Sequence, residues 1–461
     1  MRFRAAHALA LAAVTGACGL AAAGPATARA AARPYDFDGD GRRDLALGSP
    51  AGTVGDKKKA GFVTVVYGSK TGVDPRRRQV VTQASAGVPG APEAGDRFGA
   101  SLTSADLDRD GYADLAVGAP GEDGRAADTG TVTVLWGSPS GLRGAAAFGE
   151  NGAAGKGHRF GETLTAGDLQ GDGTPELFVT APGTSTFTWL SFRGRKVTVR
   201  PGARSGYGLD RSWIAAGDVT GDGRADVVYG WYDHDDPEVD HRRGFTLFTA
   251  NGRGGLDRGR TVYTTVHALA VADFDGDGRA DVAVGDTYDR PWTGGAVTVH
   301  RGTPFGLGGT YTLHRDTSGV PGRAVMEDNF GAALAAGDVN RDGRADLAVG
   351  APKTDRGNVF DAGSAYVLYG SPSGLTGRGA QEITRSTTGV PGAVRAYEHL
   401  GAQVALLDHD GDGRADLTIG VPDADGGNGT LITLGKNVTT ITATTLGVRS
   451  RTAALGGLIG G

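Results

Sequence analysis

Beyond residue 30 the chain has no cysteine, because its single one, Cys18, falls in the amino-terminal leader. The folded part can therefore hold no disulfide. Aromatic residues are sparse at 7%, and no apolar stretch downstream of the leader could stop transfer across a membrane. Lysine is scarce too, with 8 against 39 arginines, which we read as a coding bias rather than a binding signal. Three of those arginines lie in the leader, leaving 44 basic against 52 acidic residues and a net charge near −8. That balance lacks the basic face that nucleic-acid binding requires. Neither G-x-S-x-G nor H-E-x-x-H occurs, and the nine histidines are scattered. There is no Gly-X-Y period, so the 81 glycines are not collagenous.

Residues 1–30 have the form of a signal peptide: Arg2 and Arg4, a short Ala/Leu/Val run, and a cleavage pattern at Ala28-Arg29-Ala30. The chain is expected to be exported, soluble and monomeric, with the fold occupying 31–461. The alternative is a surface lipoprotein attached through Cys18, after Thr15-Gly16-Ala17.

What the sequence has in abundance is one phrase. DFDGDGRADVAVG from Asp273 recurs in variant form from Asp36, Asp106, Asp168, Asp218, Asp338 and Asp408. The spacing suits four short strands per unit, the size of a propeller blade. Strand-like runs such as TVTVLWG and GFVTVVYG follow each phrase at a regular distance. Eight residues before the phrase stands a second marker: Phe98-Gly99, Phe160-Gly161, Phe330-Gly331 and Leu400-Gly401. The large side chain is expected to wedge between blades while the glycine permits close backbone approach. Asp210-Arg211 and Thr265-Val266 replace it in blades 4 and 5.

Blade 1 has no room for an opening strand before Asp36. The tail LGGLIGG from Leu455 aligns with LGAQVAL from Leu400, and ITATTLGV from Ile441 echoes ITRSTTGV from Ile383. The carboxyl-terminal strand should thus complete the first blade and remove the open sheet edges. The fold class expected is all-β, a seven-bladed β-propeller closed in this way.

Asp-x-Asp-x-Asp-Gly-x-x-Asp presents oxygens at positions 1, 3, 5 and 9, with a glycine turn at 6 and a carbonyl at 7. Hard oxygen ligands in an irregular turn suit calcium. It is not an EF-hand, since no glutamate stands at position 12 and strands rather than helices should flank it. The expected Ca²⁺ loops are 36–44 (Asp36, Asp38, Asp40, Asp44), 106–114 (Asp106, Asp108, Asp110, Asp114), 273–281 (Asp273, Asp275, Asp277, Asp281) and 408–416 (Asp408, Asp410, Asp412, Asp416). Weaker sites are expected at 168–176 (Asp168, Gln170, Asp172, Glu176), 218–226 (Asp218, Thr220, Asp222, Asp226) and 338–346 (Asp338, Asn340, Asp342, Asp346). That gives up to seven Ca²⁺, one per blade. Some loops could instead be Asx-type turns that need no metal.

The Phe-Gly marker, the aspartate loop, and Gly118-Ala119-Pro120 and Gly350-Ala351-Pro352 together resemble FG-GAP repeats, which build the propeller of integrin α subunits. The resemblance covers nearly all of 31–461. It implies calcium on one face and ligands on the other, over the connections that follow the Gly-Ala-Pro strand. Departures are clear: all seven blades carry a loop, and no Arg-Gly-Asp occurs. Fold alone does not transfer receptor function.

Two connections on the implied ligand face stand out. One is GWYDHDDPEVDHRRG, with Trp231, Tyr232 and Asp233; the other is GDTYDRPWTGG, with Tyr288, Arg290 and Trp292. Exposed aromatics beside acids and arginine suit a sugar ring or a peptide; the alternative is that the tryptophans cap their blades. The Asp233-His234-Asp235 run also raises a transition metal, without a supporting spacing. Asn428-Gly429-Thr430 and Asn437-Val438-Thr439 are glycosylation sequons. The expected function is a non-catalytic extracellular adhesion or ligand-binding module for a protein or glycan; the alternative is a polysaccharide lyase or hydrolase.

Overall fold

A computed structural model describes residues 30–150, 155–204, 211–232, 243–448 and 455–460. Cys18, Asp233 and Asp235 lie outside these residues, as does nearly all of the leader.

The described residues form seven antiparallel four-stranded sheets. Blade 2 shows the plan: Ser101–Ala105, Asp114–Ala119, Thr131–Leu135 and Ala145–Phe148, paired in sequence order. The leading strands of successive blades touch one another around the whole ring, including blade 7 against blade 1. The second strand lies in the middle of its sheet with another sheet on either side. Its residues therefore need to be apolar or small on both faces, and Asp114–Ala119 and Asp346–Ala351 are buried along their whole length. Outer strands show the opposite character, as in Arg76–Arg78 of blade 1, which face water.

The ring closes as the repeat implied. Ile459–Gly460 pairs with Leu45–Ser49 of blade 1, Leu47 opposite Ile459 and Ala46 opposite Gly460. Leu455 is fully buried and forms a parallel bridge with Gly429 of blade 7. Phe98, Phe160 and Leu400 make the same bridge to Gly61, Gly130 and Gly363 of the blade before, and all three are fully buried. The aromatic or leucine is thus an inter-blade wedge. The echo upstream is structural too, since Thr442 N–H donates to Thr445 Oγ1 as Thr384 N–H does to Thr387 Oγ1, at 2.9 and 3.0 Å.

The marker glycine has a partner. A Cβ on Gly118 would sit 2.1 Å from the Gly161 carbonyl oxygen, and one on Gly350 would sit 2.0 Å from that of Gly401. The glycine of Gly-Ala-Pro is therefore required by the marker of the next blade. Blade 3 carries Thr180 at that position, and the following blade lacks the marker. The two departures from the repeat compensate each other.

Candidate functional site

Six of the seven aspartate loops join the first strand of a blade to the second, so strands flank them on both sides; the loop of blade 1 only leads into its second strand, because Ile459–Gly460 supplies the first. The turn is built by its own side chains. Position 1 accepts the N–H of the position 6 glycine in every blade, at 2.6–3.1 Å. Position 5 accepts the position 7 N–H in every blade, at 2.8–3.1 Å. Position 6 is left-handed, as in Gly41 at φ 86° and Gly278 at φ 85°, which explains its glycine. Position 4 is left-handed as well, even where it is Arg109 (φ 59°) or Arg341 (φ 64°).

Position 9 opens the second strand and is buried throughout, from Asp114 and Asp226 at 0% exposure to Asp416 at 6%. One of its oxygens accepts the position 2 N–H in six blades at 2.9–3.0 Å. The other accepts an N–H near the end of the third strand, from Gly68, Gly137, Ala250, Gly302 or Gly370, each at 2.9 Å. This carboxylate ties the loop to the blade while each oxygen keeps a further lone pair. Burial raises the pKa of Asp44 and Asp114 to about 8, that of Asp416 to about 7, and those of Asp281 and Asp346 to about 6, with the donated N–H groups opposing the shift.

Four sets of carboxylates gather with their oxygens within 4.8 Å of one another: Asp36, Asp38 and Asp40; Asp106, Asp108 and Asp114; Asp273, Asp275 and Asp277; Asp408, Asp410 and Asp412. These are the four all-aspartate loops. Each of the four also keeps one buried carboxylate oxygen with no hydrogen-bond partner: Asp36 Oδ1, Asp106 Oδ1, Asp281 Oδ2 and Asp410 Oδ2. Among the described residues, no oxygen of the other three loops is left in this state. There the loops satisfy themselves. Gln170 Nε2 donates to Glu176 Oε1 at 2.6 Å, and Asp226 accepts a second N–H, that of Thr220, at 3.0 Å. An all-oxygen donor set with an orphaned anionic atom fits a hard divalent cation.

Two features escaped the sequence reading. Arginines from outer strands and hairpins neutralise position 3: Arg77 reaches Asp38 at 2.8 Å, Arg195 of blade 3 reaches Asp108 at 2.7 Å, and Arg301 reaches Asp275 at 2.7 Å. The loops are also chained together. The position 8 N–H donates to the position 1 carbonyl of the preceding blade at six junctions, from Arg43 to Asp408, Ala113 to Asp36, Ala225 to Asp168, Ala280 to Asp218, Ala345 to Asp273 and Ala415 to Asp338, at 2.7–3.0 Å. The seventh junction, between blades 2 and 3, lacks this bond because position 8 there is Pro175, which has no N–H.

On the opposite face, Tyr288 and Trp292 are 45% and 39% exposed, and Arg290 is exposed between them in sequence. Trp292 stacks on His314 at 4.4 Å between ring centroids, and the Arg243 guanidinium lies 5.2 Å above the Tyr288 ring. Val325 and Met326, exposed in the adjoining turn, widen the apolar surface there. Trp231 corrects an expectation. It is 2% exposed, because the second strand of blade 4 runs on to Tyr232 and turns the indole into the blade core. Tyr232 ends that strand half-buried, paired opposite Arg211.

Sequence comparison matches the FG-GAP repeat at residues 29–66, 98–135, 265–300 and 330–368, and an FG-GAP-like repeat at 168–229. The integrin alpha pat-2 of Caenorhabditis briggsae is 31% identical over 310 residues, covering 62% of this chain and 24% of that protein. A phosphatidylinositol-glycan-specific phospholipase D of Rattus norvegicus is 36% identical over 163 residues, covering 34% of this chain and 18% of that protein. The chain thus spans a quarter or less of the length of these relatives. Among solved structures, a Bacteroides fragilis protein described as a 6-phosphogluconolactonase aligns with a TM-score of 0.45 at 12% identity, over 86% of this chain and 94% of its own. Repeats, relatives and seven-bladed ring agree: the chain is an integrin-α-like FG-GAP β-propeller.

Proposed function

We propose that the chain is an exported, calcium-binding, non-catalytic module that binds an extracellular protein or glycan. In this reading Ca²⁺ sits in the four all-aspartate loops, on carboxylates of positions 1, 3, 5 and 9, with Asp281 at position 9 joining Asp273, Asp275 and Asp277 in blade 5. The loops of blades 3, 4 and 6 bind more weakly. The observation that carries this is the single orphaned, buried carboxylate oxygen in each of those four loops. A buried anionic oxygen without a donor costs on the order of 1–3 kcal/mol or more, and a coordinated cation removes that cost. The integrin relatives support the binding role. The phospholipase D match covers only 18% of that enzyme, a share that sits better with a shared repeat than with shared catalysis. The external ligand would approach Tyr288, Arg290 and Trp292.

Two measurements test the reading. Calcium should raise the melting temperature of chelated protein, since a ligand at about one hundred times its Kd adds about 2.7 kcal/mol per site; a melting curve indifferent to EDTA would overturn the metal assignment. Trp292→Ala should abolish retention on an array of cell-wall glycans and matrix proteins, and a polysaccharide broken down on that array would favour the lyase or hydrolase instead.

A further inference from the structure

Three turns that lead into the marker of the next blade share one plan. Each carries Gly-Val-Pro-Gly, at 87–90, 319–322 and 389–392, and an acid two residues before the marker: Asp96, Asp328 and Glu398. All three acids are buried. The two aspartates close their turns, Asp96 accepting the Glu93 N–H at 2.5 Å and Asp328 that of Val325 at 2.8 Å; Asp328 also binds Arg315.

Glu398 departs from this plan. One methylene longer, it makes no corresponding bond to the backbone, and its Oε2 is buried without a hydrogen-bond partner. It forms an ion pair with Arg385, as Asp328 does with Arg315, but at 3.5 Å from Nε the contact is too long and poorly aligned to be a hydrogen bond, and the carboxylate and guanidinium side chains are only 10% and 7% exposed. The guanidinium is held in place from its other end, where Nη1 donates to the Pro391 carbonyl at 2.5 Å.

Both side chains line a cavity of about 370 Å³ between blades 6 and 7, at the end of the ring away from the aspartate loops. Arg395, Asp425 and the four threonines Thr430, Thr440, Thr442 and Thr444 complete its polar wall. Two guanidinium groups and two carboxylates cancel, so neither an anion nor a cation is favoured. A carboxylate and a guanidinium side by side present an acceptor next to a donor, which matches adjacent hydroxyls on one ring. The volume lies at the small end of ligand pockets.

We propose that this groove is a binding subsite for a neutral sugar, one pyranose ring of an extracellular glycan, with Glu398 and Arg385 holding adjacent hydroxyls. The site is separate from the Tyr288–Trp292 surface and from the metal loops, so it stands or falls without them. No aromatic side chain lines the groove for stacking, and a single ring should therefore bind weakly, with a Kd on the order of 1–10 mM.

Saturation-transfer NMR of the full chain against free glucose, galactose, mannose and N-acetylglucosamine tests this. At least one sugar should receive saturation from the wild type and from Trp292→Ala. Glu398→Gln should weaken it by about tenfold or more. Glu398→Asp is the second variant: it copies Asp96 and Asp328, should close the turn and keep the melting temperature, and should still lose the sugar. Absence of saturation for all four sugars on the wild type would mean that the groove holds only water. Binding that survives both Glu398 variants, or that disappears in Trp292→Ala, would also overturn the assignment.

Discussion

Asp114→Ala separates the two duties of the position 9 carboxylate. The side chain is fully buried and accepts two N–H groups, from Leu107 and Gly137, both at 2.9 Å. Alanine removes both acceptors and leaves two buried donors unpaired. At about 1–3 kcal/mol for each orphaned group, the loss is about 2–6 kcal/mol. Part of it is offset, because the native carboxylate is held in an apolar setting that raises its pKa to about 8, so the lower half of that range is expected at neutral pH. Urea unfolding in EDTA isolates this from any metal. A midpoint shift worth about 2–4 kcal/mol at unchanged slope supports the structural role. If the variant matches the wild type in EDTA and falls behind only when calcium is present, the carboxylate is a chelator alone and the reasoning fails.

Two further perturbations follow from the same geometry. The position 9 aspartates have folded pKa values raised by burial, to about 8 in Asp44 and Asp114 and about 7 in Asp416. A raised carboxyl pKa means that the folded state binds the proton more tightly. In EDTA, the contribution of these groups to stability should therefore be fully present below about pH 4 and decline as pH climbs towards 8, and the calcium-induced rise in melting temperature should be larger at pH 8 than at pH 5.5. Equal calcium shifts at both values in a dye-based melt would contradict this. Gly118→Ala would place a methyl 2.1 Å from the Gly161 oxygen and 2.2 Å from Ser101 Oγ. It should cost about 1–3 kcal/mol by forcing blades 2 and 3 apart, read as a fall in the urea midpoint; a variant as stable as the wild type would refute the close-packing account.

Much of the architecture could be read because the chain repeats it. Marker and loop recur at fixed spacing, and the tail aligns on the same marker, so the sequence alone assigns Leu455 to the marker and the residues after it to the opening strand of blade 1. The aspartate loops were legible for the same reason, including which four are complete. What escaped depends on neighbours in space rather than in sequence. Trp231 looked exposed because Gly230 sits where other blades have Gly-Ala-Pro, yet blade 4 extends its second strand through Tyr232. Arg195 belongs to the blade after the one whose Asp108 it pairs, so no spacing within one unit could reveal it. Position 9 looked like a fourth chelator alone; its bonds to the third strand appear only once the blade is folded.

The chain of loop-to-loop bonds changes what the metal loops mean for the fold. Position 1 offers its carboxylate to the candidate cation and its carbonyl to the next loop, so ordering one loop also orders the acceptor on which the next depends. Such a chain would run through six junctions and break only at Pro175. The break is bridged by side chains, with Arg195 of blade 3 on Asp108 and Asp110 at 2.7 and 3.6 Å, and Arg109 of blade 2 on the Asp172 carbonyl at 3.0 Å. Arg195 is 53% exposed, but its partner Asp108 is only 5% exposed, and the guanidinium lies 4.9 Å above the Trp136 ring. The junction between blades 2 and 3 is therefore held by side chains where the other six are held by a backbone bond. It is also where the all-aspartate loop of blade 2 meets the self-satisfied loop of blade 3. Cation binding in blade 2 would be transmitted by backbone bonds through Asp36 to blade 1 and onward to blade 7, and to blade 3 only through side chains. Three of the four complete loops, in blades 1, 2 and 7, thus form one bonded arc across the seam where the two ends of the chain meet, which puts the candidate calcium sites where ring closure most needs support.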